Sequence, residues 1–162
     1  MHNKQDLKSS FVYRNKTYYI DWYEIIDDNL PNLPWQQVYV IGDINGMAPV
    51  VHYDGDENDN LPGGKTEPGE TVEQTIVREM DEEIKAKVVS WKPLGYQVGV
   101  NSDGKKVYQL RVYAKLIFEE KFENDPGGSV IGHSLVPIKD LNQHIRWGEI
   151  GDRLVNMALK SK

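Results

Sequence analysis

Three carboxylates, Glu79, Glu82 and Glu83, stand three and four residues apart behind a glycine pair, Gly63-Gly64. If this stretch is helical, each residue advances about 100°. With Val72 at zero, Val72, Ile76, Met80 and Ile84 fall between 0° and about 120°, while Glu79, Glu83 and Glu82 fall near about 340°, 20° and 280°. The acids therefore share one flank beside an apolar face. Their Cβ atoms would lie about 5–6 Å apart, and like charges at this spacing repel. A cation should offset that repulsion, and the single Arg78 neutralises only part of it. Oxygen-only donors that encircle an ion incompletely suit a hard dication such as Mg²⁺, which keeps waters and shares its remaining positions with phosphate oxygens. An acidic helix face held only by solvent is the simpler reading of such a run taken alone.

The elements that must position these residues are legible in outline. Thr71–Ile84 carries apolar residues at every fourth position, and Thr71 with Gln74 fits a capping box, so a helix should begin there. Before it, Asp54–Gly64 is a polar loop punctuated by glycine and proline. Val38–Ile41 and Met47–Tyr53 flank Gly42, Asp43, Asn45 and Gly46, which predicts two antiparallel strands joined by a turn, with Pro49 near an edge or bulge. After the helix come strand-like segments Lys87–Trp91, Leu94–Val100 and Lys106–Phe118, the last two joined by a turn over residues 101–104. A second loop, 119–128, precedes a short strand near Ile131–Val136. Glu149–Leu159 places Ile150, Leu154, Ala158 and Leu159 on one face of a second helix. At the start, Phe11–Tyr23 reads as a hairpin turning at Arg14, Asn15 and Lys16.

From Gly64, five residues lead to Glu70, seven more to Arg78-Glu79, and then Met80, Asp81, Glu82 and Glu83 follow. This spacing resembles the signature of the Nudix hydrolases: glycine, glutamate, then Arg-Glu, an apolar residue, any residue, and Glu-Glu. Six fixed identities would arise by chance roughly once in 10⁵ chains of this length. The similarity is tight over Gly64 to Ala86 and loose beyond it, where Leu135–Leu141, Trp147-Gly148 and the last helix resemble the usual end of such a domain. Two positions depart from the pattern: Lys85 stands where the family usually has glycine, and Ala86 where it has a bulky apolar residue. Lys85 implies either mild strain or a different helix exit.

The resemblance implies an α/β fold, a Nudix-type α/β/α sandwich with a mixed sheet and two main helices, and an N-terminal hairpin-like extension. It divides the chain into an extension, residues 1–35, packed on a hydrolase domain, residues 36–162. The implied activity is cleavage of the pyrophosphate bond in a nucleoside diphosphate linked to another moiety, by water attack at phosphorus. Mg²⁺ or Mn²⁺ is the implied cofactor, neutralising the diphosphate and lowering the pKa of the attacking water. By motif position the metal ligands would be Glu79, Glu82, Glu83 and the carbonyl of Gly64. Glu82 or Glu83 would serve as general base, with Arg78 pairing with Glu70 to orient the loop that Gly63 helps to turn. Some relatives take the base from a later loop, where Glu119, Glu120, Glu123 and Asp125 are candidates by location. His133 stands near where many relatives have a glutamate; His52 and His144 read as packing or surface residues. The residues that bind the rest of the substrate are unassigned, although Tyr18, Tyr19, Trp22, Tyr23, Trp35, Tyr96, Tyr108 and Tyr113 could stack on a base. Two alternatives stand beside this reading: a Nudix-fold nucleotide-binding sensor or interaction module without hydrolysis, and a purely structural acidic helix.

Composition narrows the partners. Of 162 residues 39% are hydrophobic, which suits one core, and 25 Asp and Glu against 19 Lys and Arg give a net charge of −6. Such a surface is poorly suited to long nucleic acid or an anionic membrane. With no cysteine, thiolate metal sites and disulfides are excluded. The polar start and the lack of a long apolar run predict a soluble, cytoplasmic protein. Its partner would be a small nucleotide diphosphate derivative, and homodimers are common among similar proteins.

Overall fold

The computed structural model describes residues 5–13, 15–100, 103–119 and 130–162. Its strands are β1 (Gln5–Tyr13), β2 (Lys16–Glu24), β3 (Trp35–Asp43), β4 (Met47–Tyr53), β5 (Gly63–Lys65), β6 (Ala86–Val100), β7 (Lys106–Phe118) and β8 (Val130–Pro137). The helices are α1 (Val72–Ile84), α2 (Leu141–Ile145) and α3 (Gly148–Leu159). Six strands form a mixed sheet in the order β1-β2-β6-β7-β3-β5, and β4 pairs with β8 in a second, two-stranded sheet. The pairing of β3 with β7 is parallel and the others are antiparallel.

The period of two along β3 sorts its side chains between two cores. Val38 and Val40 join Ile76, Met80 and Ile84 of α1 on one face, while Ile41 joins Ile150, Leu154 and Ala158 of α3 on the other. The second sheet contributes to both, through Ala48 and Val50 on the α3 side and Val51 on the α1 side. Helices therefore cover both sides, giving the α/β/α sandwich. Strands β1 and β2 extend the larger sheet through the β2–β6 pairing, and Trp22 of β2 is fully buried in the α3-side core.

Several local expectations need correction. The segments on either side of Gly42–Gly46 do turn, with Asn45 and Gly46 at positive φ, but β3 and β4 do not pair. They are joined only by an Ile44–Met47 bridge, after which the chain crosses to the second sheet. Gly42 permits this crossing, because a Cβ there would stand 2.5 Å from Leu116 Cδ1 and 3.0 Å from Pro49 Cδ. Pro49 lies in an edge strand, where its missing N–H is tolerated. The two segments predicted over residues 87–100 are one strand, β6, whose register shifts at Val88/Ser90 and Pro93/Gly95 absorb the proline. Helix α2 was not foreseen, since five residues are too few to show a period. Leu159, expected on the buried face of α3, is 37% exposed, and Val155 is buried instead.

Candidate active site

Helix α1 starts where its cap demands. The Thr71 side chain accepts from the Gln74 N–H at 3.1 Å, and Gln74 Oε1 accepts from the Thr71 N–H at 2.9 Å. The helix ends on Lys85, held left-handed at φ 54° with its N–H turned back to Asp81 and Met80. The exit glycine of the family pattern is thus replaced without changing the exit, at the strain cost of a side chain in that region.

Between these ends, α1 buries charge. Glu79 and Glu83 are 7% and 4% exposed. Each meets the backbone of β5. The Gly63 N–H donates to Glu83 Oε2 at 3.0 Å, and a Cβ on Gly64 would stand 2.5 Å from Glu79 Oε1. Gly63 itself has φ 145° and lies so close to β3 that a Cβ would be 2.1 Å from the Val38 carbonyl oxygen. Close approach to the backbone of β3 requires the first glycine, while a side chain at the second would displace the Glu79 carboxylate.

Arg78 organises the surrounding acids. Its Nε and one terminal nitrogen grip Glu70 at 2.7 and 3.0 Å, a bidentate pair, and that terminal nitrogen also reaches the Lys65 carbonyl at 2.9 Å. The other nitrogen donates to Glu79 at 2.9 Å and Glu82 at 3.3 Å. Glu70 also accepts from the Thr75 hydroxyl and the Glu67 N–H. Led by the Arg78 hydrogen bonds, these contacts hold the Glu70 carboxyl down to about 2, and the same pairing raises the Arg78 pKa.

These groups border a cavity of about 610 Å³ whose walls include Gly63, Gly64, Arg78, Glu79, Glu82 and Glu83. The residues singled out from the sequence thus converge, with Glu70 joined through Arg78. Among the described residues no three His, Asp or Glu side chains are already drawn together as a metal cage. Arg78 bridges Glu79 and Glu82, and Glu83 turns to a backbone N–H. The donor set still suits a hard dication: it is all oxygen, two carboxylates are buried, and Gly64 leaves room where a side chain would intrude.

The other candidates lie elsewhere. Glu119 does not border the cavity; its N–H donates to the Lys85 carbonyl beyond the end of α1. Glu120, Glu123 and Asp125 lie outside the described residues. His52 and His144 meet at Asp59, at 2.7 and 3.4 Å, and His133 packs on Phe118. Tyr23, Trp35 and Tyr96 form an aromatic cluster with one another, and Tyr113 is buried with its hydroxyl on Asp43. The cavity instead takes Gln37, Tyr39 and Tyr53, which motif reading did not single out. For Gln37 and Tyr39 strand parity gives only the face, opposite to that of Val38 and Val40, and no local signal places that face at the cavity. The Tyr39 hydroxyl is held protonated by burial, reinforced by the charges of Glu83 and Glu79 and opposed by Arg111.

The NUDIX domain profile matches residues 48–156. Among solved structures, a mutant form of the Bacillus subtilis pyrophosphohydrolase BsRppH superposes with a TM-score of 0.63 at 22% identity, covering 99% of this chain and 97% of that one. A NUDIX hydrolase from Nitrosomonas europaea gives 0.62 at 16% identity over 80% and 91% of the two chains. A UDP-X diphosphatase gives 0.56 at 18% identity over 83% and 67%. No curated protein sequence matches the chain. The chain belongs to the NUDIX family and is an enzyme of the pyrophosphohydrolase class.

Proposed function

We propose that the protein hydrolyses the pyrophosphate bond of a nucleoside diphosphate linked to another group, using a divalent cation held at the acidic cavity. The observation that carries this reading is the burial of Glu79 and Glu83 against the glycine backbone of β5, on the wall of a cavity large enough for a nucleotide. Buried carboxylates are costly unless a counter-charge joins them. Arg78 supplies one positive charge, already shared among Glu70, Glu79 and Glu82.

Glu79, Glu82, Glu83 and the Gly64 carbonyl would hold Mg²⁺ or Mn²⁺, which when bound neutralises the diphosphate and lowers the pKa of the attacking water. Glu82 or Glu83 takes the proton of that water as it attacks phosphorus. Arg78 is a positioning residue: its fork on Glu70 and its bond to the Lys65 carbonyl tie the loop after β5 to α1. The names of two similar structures, a pyrophosphohydrolase and a UDP-X diphosphatase, support this class of substrate. In this reading residues 36–162 form the hydrolase domain and residues 1–35 an extension packed on it.

Nucleotide diphosphate derivatives assayed with Mg²⁺ or Mn²⁺ test the proposal. Turnover is expected for at least one, and Glu82→Gln or Glu83→Gln should remove most of it. Inactivity of the wild type across the panel, with no metal binding by calorimetry, would overturn it.

A further inference from the structure

The face of the large sheet that carries α3 changes character along its length. Around Ile41 and Leu94 it is apolar and covered. Further along, three glutamines from neighbouring strands stand in register: Gln97 of β6 opposite Gln109 of β7, and Gln109 beside Gln37 of β3. Their carboxamides are joined head to tail, with Gln97 Nε2 donating to Gln109 Oε1 and Gln109 Nε2 donating to Gln37 Oε1. All three are half-buried.

Beside this ladder lies Arg111, only 3% exposed. Its guanidinium carbon is 4.8 Å from the centre of the Tyr39 ring and 4.6 Å from that of Trp147, in a corner formed by two rings at 88°. Burial in this corner pulls its pKa down to about 10, with Tyr39 opposing the shift. The ring faces offset part of the desolvation of the cation. Its hydrogen bonds go to the Leu110 carbonyl and to Gln109 Oε1, each at 3.4 Å, and its buried Nε has no acceptor among the described residues.

A guanidinium can only donate, so Arg111 sets the direction of the ladder. The Gln109 oxygen must face Arg111 and Gln97, which turns the Gln109 NH₂ towards Gln37. The Gln37 oxygen then accepts from Gln109 and keeps one lone pair, while the N–H groups of its NH₂ remain to donate. Gln37 borders the cavity that holds Glu79, Glu82 and Glu83. A buried cation thereby orients, through Gln109, the carboxamide of Gln37, whose NH₂ is a neutral donor on the wall of a cavity that otherwise presents glutamates together with Lys65 and Arg78. Phosphate oxygens belong with the carboxylates and their cation. A neutral donor at the start of a polar strip matches an uncharged acceptor, the carbonyl or ring nitrogen of a base, for which carboxamides are well suited.

We infer that Gln37, directed by Arg111 through Gln109, binds an acceptor atom on the nucleobase of the substrate and so sets base preference. The inference rests on the hydrolase reading above and adds its substrate-specificity element; Gln37 touches the substrate, and Arg111 and Gln109 are positioning residues.

The test compares kcat/KM for the best of a panel of ADP-, GDP-, UDP- and CDP-linked sugars with kcat/KM for dimethyl diphosphate, both with Mg²⁺. Gln37→Glu keeps an oxygen for Gln109 and replaces the NH₂ by an acceptor, so the ratio of nucleotide to base-free substrate should fall at least about tenfold, through KM for the nucleotide. Arg111→Met should lower the same ratio and Arg111→Lys, which retains a donor, should restore part of it, with thermal unfolding verifying that each variant is folded. A ratio within twofold of wild type in Gln37→Glu overturns the inference. A wild type that turns over dimethyl diphosphate as efficiently as every nucleotide also overturns it while leaving the hydrolase reading standing. No turnover of either substrate overturns both.

Discussion

Helices α1 and α3 pack on opposite faces of the same sheet, with 13 and 12 residues, yet they bury different chemistry. The buried positions of α3 are Ile150, Gly151, Leu154, Val155 and Ala158, without an ionisable group. Those of α1 include Glu79 and Glu83 beside Ile76, Met80 and Ile84. The ends differ as well. A reciprocal capping box opens α1, whereas α3 starts at Trp147 with no side-chain cap. The contrast separates two uses of one architecture. Apolar burial stabilises α3 in place, while α1 spends part of its buried face on carboxylates and recovers order through its cap, the Arg78 network and the Gly63 N–H.

Exchanging a buried residue in each helix should break the comparison most sharply. Glu83→Gln in α1 is expected to lower hydrolysis by about 10³-fold, close to 4 kcal/mol of transition-state stabilisation, with little loss of folded protein. Leu154→Ala in α3 should do the reverse, destabilising the fold by about 2–5 kcal/mol in denaturant titration while the folded fraction keeps its specific activity. Equal loss of stability in both variants would mean that α1, like α3, is only a packing element.

A smaller effect separates the helices by pH. The Glu70 carboxyl lies at about 2 against its usual 4.5, so its stabilising contribution is fully present above the usual value and is lost as pH falls from 4.5 towards 2. Urea unfolding of wild type and Glu70→Gln should differ at neutral pH and converge near pH 2. A difference that does not change between pH 6 and pH 2 would show that the Arg78 fork contributes nothing through charge.

The smallest expected change is at the exit of α1. Lys85 occupies the left-handed region, which costs a residue with a side chain about 1–2 kcal/mol. Lys85→Gly should therefore stabilise the protein by about 1 kcal/mol, seen as a rise in Tm of about 2–4 °C, without altering hydrolysis. An unchanged or lowered Tm would mean that the Lys85 side chain makes a compensating contact.

The candidate site was legible where its residues are close in sequence. Glu79, Glu82 and Glu83 share a helix flank by period alone, and Thr71 with Gln74 announced the start of that helix. The Arg78–Glu70 pair followed from motif position, and the structure shows it as a bidentate fork. Residues brought in by non-local pairing were not legible. Gln37 and Tyr39 reach the cavity because β3 pairs with β5, an antiparallel contact across more than twenty residues whose register no local pattern reveals. The separation of β3 from β4 was hidden for the same reason: the turn between them is compatible with a hairpin, and competition from β7 and β8 for their edges decides against it.

Taken by itself, the sequence determined the acidic helix, its cap, the glycine pair and the family they belong to, because each depends on spacing within one element or one loop. Tertiary structure alone decided how deeply Glu79 and Glu83 are buried, and which backbone N–H meets Glu83. It also decided that Arg111 lies in an aromatic corner beside three glutamines joined head to tail. Burial and hydrogen-bond direction depend on which strands become neighbours, and that choice is made by the packing of the whole sheet between α1 and α3 rather than by any segment of the chain.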